Sequence, residues 1–124
     1  MERPSNHDLG QRFERMAEAW LCERGWHVIG RNVRRDRKEV DLIVRRGGVT
    51  AFVEVKGRRS VTSGHPLEAV TWRKRREIEH VARRWAQEQR TGLGALRFDV
   101  IAIVSGPGST CTIEHVAHAW HFGQ

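Results

Sequence analysis

Between Glu39 and Lys56 the chain reads Glu-Val-Asp-Leu-Ile-Val-Arg-Arg-Gly-Gly-Val-Thr-Ala-Phe-Val-Glu-Val-Lys, and this stretch restricts the fold more than any other. Two β-prone runs flank Gly47-Gly48, a two-residue hairpin signal. Side chains alternate faces along a strand. That alternation puts Glu39, Asp41 and Ile43 on one face of the first strand, with Val40, Leu42 and Val44 on the other. In the second strand Phe52, Glu54 and Lys56 share a face opposite Ala51, Val53 and Val55. Acids and a lysine thus fall among residues of core character, where a charge is rarely left without a partner or a metal.

Around this hairpin the chain, 124 residues long, reads as one domain over residues 1–124. Ser5, Asn6 and Asp8 offer N-caps for a helix that ends near Gly25, with Leu9, Phe13, Met16, Ala17, Trp20 and Leu21 as its apolar stripe. Glu14 lies at the edge of that stripe, either over the sheet or solvated at the helix rim. Trp26 to Asn32 reads as a short strand, and Arg31 to Lys38 as a basic loop. A second basic, turn-rich loop runs from Gly57 to Pro66. Leu67 to Gln89 is helical, with a break expected near Thr71; Ile78, Val81, Ala82, Trp85 and Ala86 form its core stripe. Lys74 shares that stripe and either snorkels or brings its ammonium to the acidic face. Leu96 to Val104 reads as a buried strand, Thr110 to Glu114 as a short edge strand, and His115 to Phe122 as a short amphipathic or irregular segment. Helix, three strands, helix and two strands give an α/β domain, a mixed sheet of about five strands flanked by helices.

The chemistry follows from the acids. Neighbouring strands lie roughly 4.8 Å apart, so Asp41 and Glu54 can converge. Hard oxygen ligands suit Mg²⁺ (or Mn²⁺), which takes one or two protein carboxylates and keeps several waters. The Val55 backbone carbonyl completes the expected set, with Glu14 and Glu39 as further candidates. Lys56 would orient water or stabilise developing charge, and the arrangement makes sense for phosphodiester hydrolysis. Lys plus Arg outnumber Asp plus Glu by 22 to 15, which points to a polyanionic partner, most simply nucleic acid. Arg34, Arg35, Arg37, Lys38, Arg58, Arg59, Lys74 and Arg75 are the expected DNA contacts. Cys22 and Cys111 form no CxxC pattern, the N-terminus lacks a signal-peptide pattern and no apolar run approaches ~20 residues. A cytoplasmic location with no membrane partner is therefore expected.

Asp41, a gap of about a dozen residues, then Glu54-Val-Lys56 is the PD-(D/E)xK nuclease signature, weak by spacing alone. More of the chain agrees: Leu9-Gly-Gln-Arg-Phe-Glu14, Gly25-Trp26, Arg31-Asn32, Glu39-Val-Asp-Leu-Ile43, Phe52-Val-Glu-Val-Lys56, Val70 with Lys74 and Ile78, and Arg97-Phe-Asp-Val100. Together these motifs, spanning nearly the whole chain, resemble the YraN-like family of small bacterial proteins. That family is usually assigned to the restriction-endonuclease-like fold, similar to Holliday-junction resolvases. The resemblance implies that fold, a Mg²⁺ site at Glu14, Asp41, Glu54 and Lys56, and DNA as partner. Two positions depart from the family, which usually has glycine where this chain carries Phe13 and Lys38.

Other signals are weaker. His115, His118 and His121 recur at threes without a fitting fourth ligand, and read as ordinary surface or packed histidines. Trp72, set among arginines, is the tryptophan placed to stack on a base. Asp99 is expected to pair with Arg97 or a helix arginine. Three functions compete: a metal-dependent endonuclease of branched or structured DNA, a non-catalytic DNA-binding module on a nuclease scaffold, and a protein-interaction subunit whose acids form structural ion pairs. Resolvase-like chemistry on a junction would call for a two-fold homodimer.

Overall fold

The computed structural model of the chain describes residues 5–58, 64–90, 92–108 and 110–124. Helix α1 covers Asn6–Glu23 and is followed by strands β1 (His27–Arg35), β2 (Lys38–Arg46) and β3 (Val49–Arg58). A short 3₁₀ turn, Pro66–Ala69, leads to helix α2 (Trp72–Glu88), then β4 (Ala95–Ser105) and β5 (Cys111–Trp120). The five strands lie in chain order in one sheet. β3 and β4 are parallel and the other pairs antiparallel. A parallel pair needs a crossover, and α2 supplies it. The expected fold class, a mixed sheet flanked by helices, is thus what the chain forms.

The two helices cover opposite faces. Ala17 and Leu21 of α1 pack with Trp26, Leu42, Val44, Ala51, Val53, Ile101 and Ile103. Ile78, Val81, Ala82 and Trp85 of α2 pack with Val40, Ile43, Phe52, Phe98, Val100 and Trp120. Caps set the helix starts. Ser5 Oγ accepts from the Asp8 amide at 3.1 Å, and Thr71 Oγ1 accepts from the Lys74 amide at 3.1 Å. The break expected near Thr71 is this second cap. Among the described residues no helix is long and apolar enough to cross a membrane.

Three local expectations are corrected. The basic segment from Arg31 to Lys38 is not a loop: β1 and β2 run to Arg35 and Lys38, which pair directly. The turn between them is only Asp36-Arg37, both with positive φ (52° and 67°), as a two-residue hairpin of the mirror-image type requires. The segment after Glu114 is not irregular either, because β5 continues to Trp120. It does so through a register shift opposite Phe98 and Val100, with His118 at φ 53°. Finally, face alternation slips at Asp41. Val40 joins Ile43 in the α2-side core, while Leu42 and Val44 lie in the α1-side core.

Candidate active site

That slip coincides with a gap in the sheet. The β2–β3 ladder closes with Leu42 opposite Val53 and does not extend to Asp41 and Glu54. On its other side β2 continues along β1, and the pairs Arg31–Leu42 and Val33–Val40 bracket Asn32 and Asp41. Asn32 adopts φ 45°, a conformation asparagine tolerates better than most residues. Its side-chain amide donates to Glu14 Oε1 of α1. Where the strands part, the Asp41 side chain takes over the role of a backbone acceptor: Oδ2 accepts from the Val55 amide at 2.8 Å. In an extended strand the N–H and C=O of one residue point the same way, so the Val55 carbonyl also faces this gap.

Glu54 sits beside Asp41 and is 3% exposed. Its Oε1 is buried with no hydrogen-bond partner among the described residues. Its Oε2 lies 3.8 Å from Lys56 Nζ and 3.9 Å from Lys74 Nζ. Lys74 also donates to the Glu39 carbonyl at 3.1 Å, so its ammonium reaches the acids. Two opposing effects act on Glu54. Burial and the adjacent Asp41 carboxyl hold its proton on, whereas the two ammonium groups favour its loss. At 3.8 and 3.9 Å neither ammonium makes a hydrogen bond to the carboxyl, and burial prevails: the Glu54 pKa is pushed up to about 9. Glu14 is shifted upward too, chiefly by burial, with the Asn32 bond opposing and the charges of Asp41 and Glu39 adding to it.

The expected site residues therefore separate into groups. Asp41, Glu54, Lys56 and the Val55 backbone meet, with Lys74 beside them, and Glu14 and Asn32 close the α1 side. Glu39 stands further out, its carboxylate 3.9 Å from Arg34. No group of three or more His, Cys, Asp or Glu side chains is arranged to hold a metal among the described residues. What stands there is a carboxyl pair with an unpartnered buried oxygen, a donor set that fits Mg²⁺, for which one or two protein carboxylates suffice.

Of the expected DNA contacts, Arg35 is held by Glu88 (2.8 and 2.6 Å) and Arg75 donates to the carbonyls of Val70 and Leu67. Arg58 turns to the Gly64 carbonyl. Arg34 is exposed beside Glu39, while Arg37 and Lys38 stand at the β1–β2 turn. Arg59 lies outside the described residues. The departures are also placed. The Phe13 ring lies against Gly57, where a Cβ would overlap it, and Lys38 opens β2 at the edge of the site.

Sequence reasoning counted Asn32 in the family pattern but gave it no role; its signal was a residue tolerant of positive φ. That reasoning passed over Glu79, 1% exposed on α2, which accepts from Arg76, from Trp120 Nε1 at 3.1 Å and from the Gly123 amide at 3.0 Å. Asp99 pairs with Arg97 as expected, at 2.9 Å to each oxygen, and gathers His115 Nε2 at 2.7 Å and the His118 amide at 3.0 Å. His115 is thereby committed to Asp99, while His118 Nε2 meets His121 Nδ1 at 3.0 Å. Those three histidines do not converge.

A family model described as uncharacterised protein family UPF0102 matches residues 13–103. A UPF0102 protein of Rhodococcus opacus (strain B4) is 44% identical over 115 residues, 93% of this chain and 98% of the relative. One from Prosthecochloris aestuarii is 39% identical over 119 residues, covering 92% of this chain and 94% of the relative. Another, from Anaeromyxobacter dehalogenans, is 42% identical over 112 residues, 90% and 83%.

Proposed function

The chain belongs to the uncharacterised protein family UPF0102, and we propose that it is a Mg²⁺-dependent endonuclease, with Mn²⁺ as an alternative ion, that hydrolyses phosphodiester bonds in branched or structured DNA. Membership of the restriction-endonuclease-like superfamily and a cytoplasmic location are parts of the same reading. One observation carries it: Asp41 and Glu54 meet where β2 and β3 part, with a buried, unpartnered Glu54 oxygen and the Lys56 ammonium alongside.

Asp41, Glu54 and the Val55 carbonyl are the groups that would hold the cation. Bound there, a divalent cation supplies Lewis-acid polarisation of a phosphoryl oxygen and a more acidic water. The rest falls to the chain. Lys56, 38% exposed, offers a positive charge to the oxygen on which negative charge accumulates during displacement at phosphorus. Lys74, its ammonium anchored on the Glu39 carbonyl, stands 3.9 Å from the same Glu54 oxygen that Lys56 faces and adds a second positive charge beside the carboxyl pair. Glu14, positioned by Asn32, is the remaining carboxyl able to hold a water by hydrogen bonding. A homodimer would place two such sites on the two strands of a junction.

A second reading has its own observation. Both lysines flank Glu54, as they would if the acids served structural ion pairing in a binding or interaction module. A cleavage screen separates the readings, using junction, flap and single-stranded substrates with Mg²⁺ or Mn²⁺ against Asp41→Asn and Glu54→Gln. Cleavage that needs the metal and disappears in both variants is expected. Cleavage retained in either purified variant refutes the carboxyl engine. DNA binding without cleavage, unchanged by chelator, assigns a non-catalytic module. No DNA binding and no heat on Mn²⁺ titration assigns an interaction subunit.

A further inference from the structure

A groove of about 670 Å³ runs between the β1–β2 turn and the first turns of α2, lined among others by Arg37, Lys38, Trp72, Arg73, His80 and Arg83. Two of its features are unusual together. Trp72 is 66% exposed, whereas Trp26, Trp85 and Trp120 are buried. It is nevertheless held, because the Arg76 guanidinium lies 4.6 Å from the ring centroid and is itself tied to Glu79. A large indole left open to water but fixed against a cation is a prepared stacking surface rather than a loose side chain.

The charges of the groove divide unevenly. Arg73 pairs with Glu77, Arg76 and Arg83 with Glu79, and His80 with Asp36. Those contacts absorb the groove's acids, and no ion pair among the described residues engages Arg37 or Lys38. The groove thus presents an aromatic face flanked by two uncommitted cations, the pairing that binds successive units of an unpaired nucleic-acid strand. It also adjoins the carboxyl site. Glu77 on its wall is 4.0 Å from Lys74 Nζ, which lies 3.9 Å from Glu54, and Lys38 immediately precedes Glu39.

We propose that this groove binds an unpaired DNA strand, one base stacked on Trp72 and its phosphates against Arg37 and Lys38, and so selects substrates with a single-stranded arm next to the cleaved bond. The selection of cleavage substrate rests on the nuclease reading; the strand-binding groove does not. A duplex does not satisfy this arrangement, because its bases are already stacked on one another and cannot present a free face to the indole.

The test is fluorescence anisotropy in EDTA with labelled oligo(dT) and a labelled duplex of equal length, using wild type, Trp72→Ala, Trp72→Phe and an Arg37→Ala/Lys38→Ala double variant. Trp72→Ala should weaken oligo(dT) binding about 10-fold, Trp72→Phe should restore most of it, and duplex binding should stay unchanged. The double variant should reduce the slope of log affinity against log salt by about 1.4, two phosphate contacts on a single strand. Unchanged melting curves confirm intact folds, a fair expectation for a residue this exposed. Wild-type oligo(dT) affinity in Trp72→Ala, or equal losses on single strand and duplex, overturns the groove. Because chelator removes cleavage from the measurement, a protein that cleaves nothing yet shows the Trp72 effect loses the nuclease reading and keeps the groove. One that cleaves flaps with wild-type preference in Trp72→Ala loses the groove and keeps the nuclease reading.

Discussion

Glu54→Gln offers the sharpest view of how the site is held before any ligand arrives. In the folded chain the Glu54 pKa is pushed up to about 9 by burial and by Asp41, against an ordinary value near 4.5. The folded state therefore keeps a proton that the unfolded chain releases above about pH 4.5. The stability this proton contributes is complete below that value and is lost as pH rises toward 9. For one proton the slope is at most about 1.4 kcal/mol per pH unit, so between pH 6 and 8 the loss reaches roughly 1 to 3 kcal/mol. In a domain of this size that corresponds to about 3 to 12 °C in Tm. Glutamine has no proton to lose, and every other titrating group is common to both proteins. The assay is urea or thermal unfolding of wild type and Glu54→Gln across pH 6 to 8 in chelator. Wild type should lose stability relative to the variant as pH rises. A constant difference, or a wild type that gains, would mean that Glu54 is ionised and held by Lys56 and Lys74, and the reasoning would be wrong.

Lys56→Ala should lower kcat of Mg²⁺-dependent cleavage by about 10²-fold or more with a smaller change in KM; an unchanged kcat would remove Lys56 from the chemistry. Asp99→Asn leaves Arg97 without its buried counter-charge and should cost about 3–5 kcal/mol by chemical denaturation, with a loss below 1 kcal/mol refuting that account. Burial alone would raise the Asp99 pKa, but His115, Arg97 and the His118 amide outweigh it and the value is lowered. Its contribution to stability is thus present above about pH 4 and fades as pH falls through the folded value, which an acid titration of the wild type minus Asp99→Asn difference would register. Gly57→Ala drives a methyl into the Phe13 ring and should cost about 1–3 kcal/mol. Phe13→Ala in the same chain should recover part of that loss; fully additive losses in the double-mutant cycle would deny the contact.

Most elements could be read from the chain because their signals are local. Gly47-Gly48 marks one hairpin, Ser5 one cap, Thr71 a helix break, and the apolar stripes of α1 and α2 their buried faces. The other hairpin could not be read this way. Asp36-Arg37 carries no glycine, and a run of arginines resembles a solvated loop whether or not its backbone is paired. β5 beyond Glu114 was hidden for a different reason: its bend at His118 is fixed by Asp99, nineteen residues earlier in the chain. At the candidate site, motif spacing picked out Asp41, Glu54 and Lys56, which the fold brings together, and face alternation placed Glu54 with Phe52. It misplaced Val40, since nothing in a period of two announces where a ladder stops. Glu79 looks like any helix-surface glutamate until its partners Trp120 and Gly123 arrive from the far end of the chain.

The bond from the Val55 amide to Asp41 gives that side chain an architectural duty beside the chemical one proposed for it. Asparagine at 41 still offers a carbonyl to that amide while removing the charge, whereas alanine would strand a main-chain donor and let β3 drift from its neighbour. Inactivity in an alanine variant would thus be ambiguous between broken architecture and lost chemistry. Any selection against drift in this sheet would preserve an acceptor at position 41 whether or not that side chain ever meets a metal.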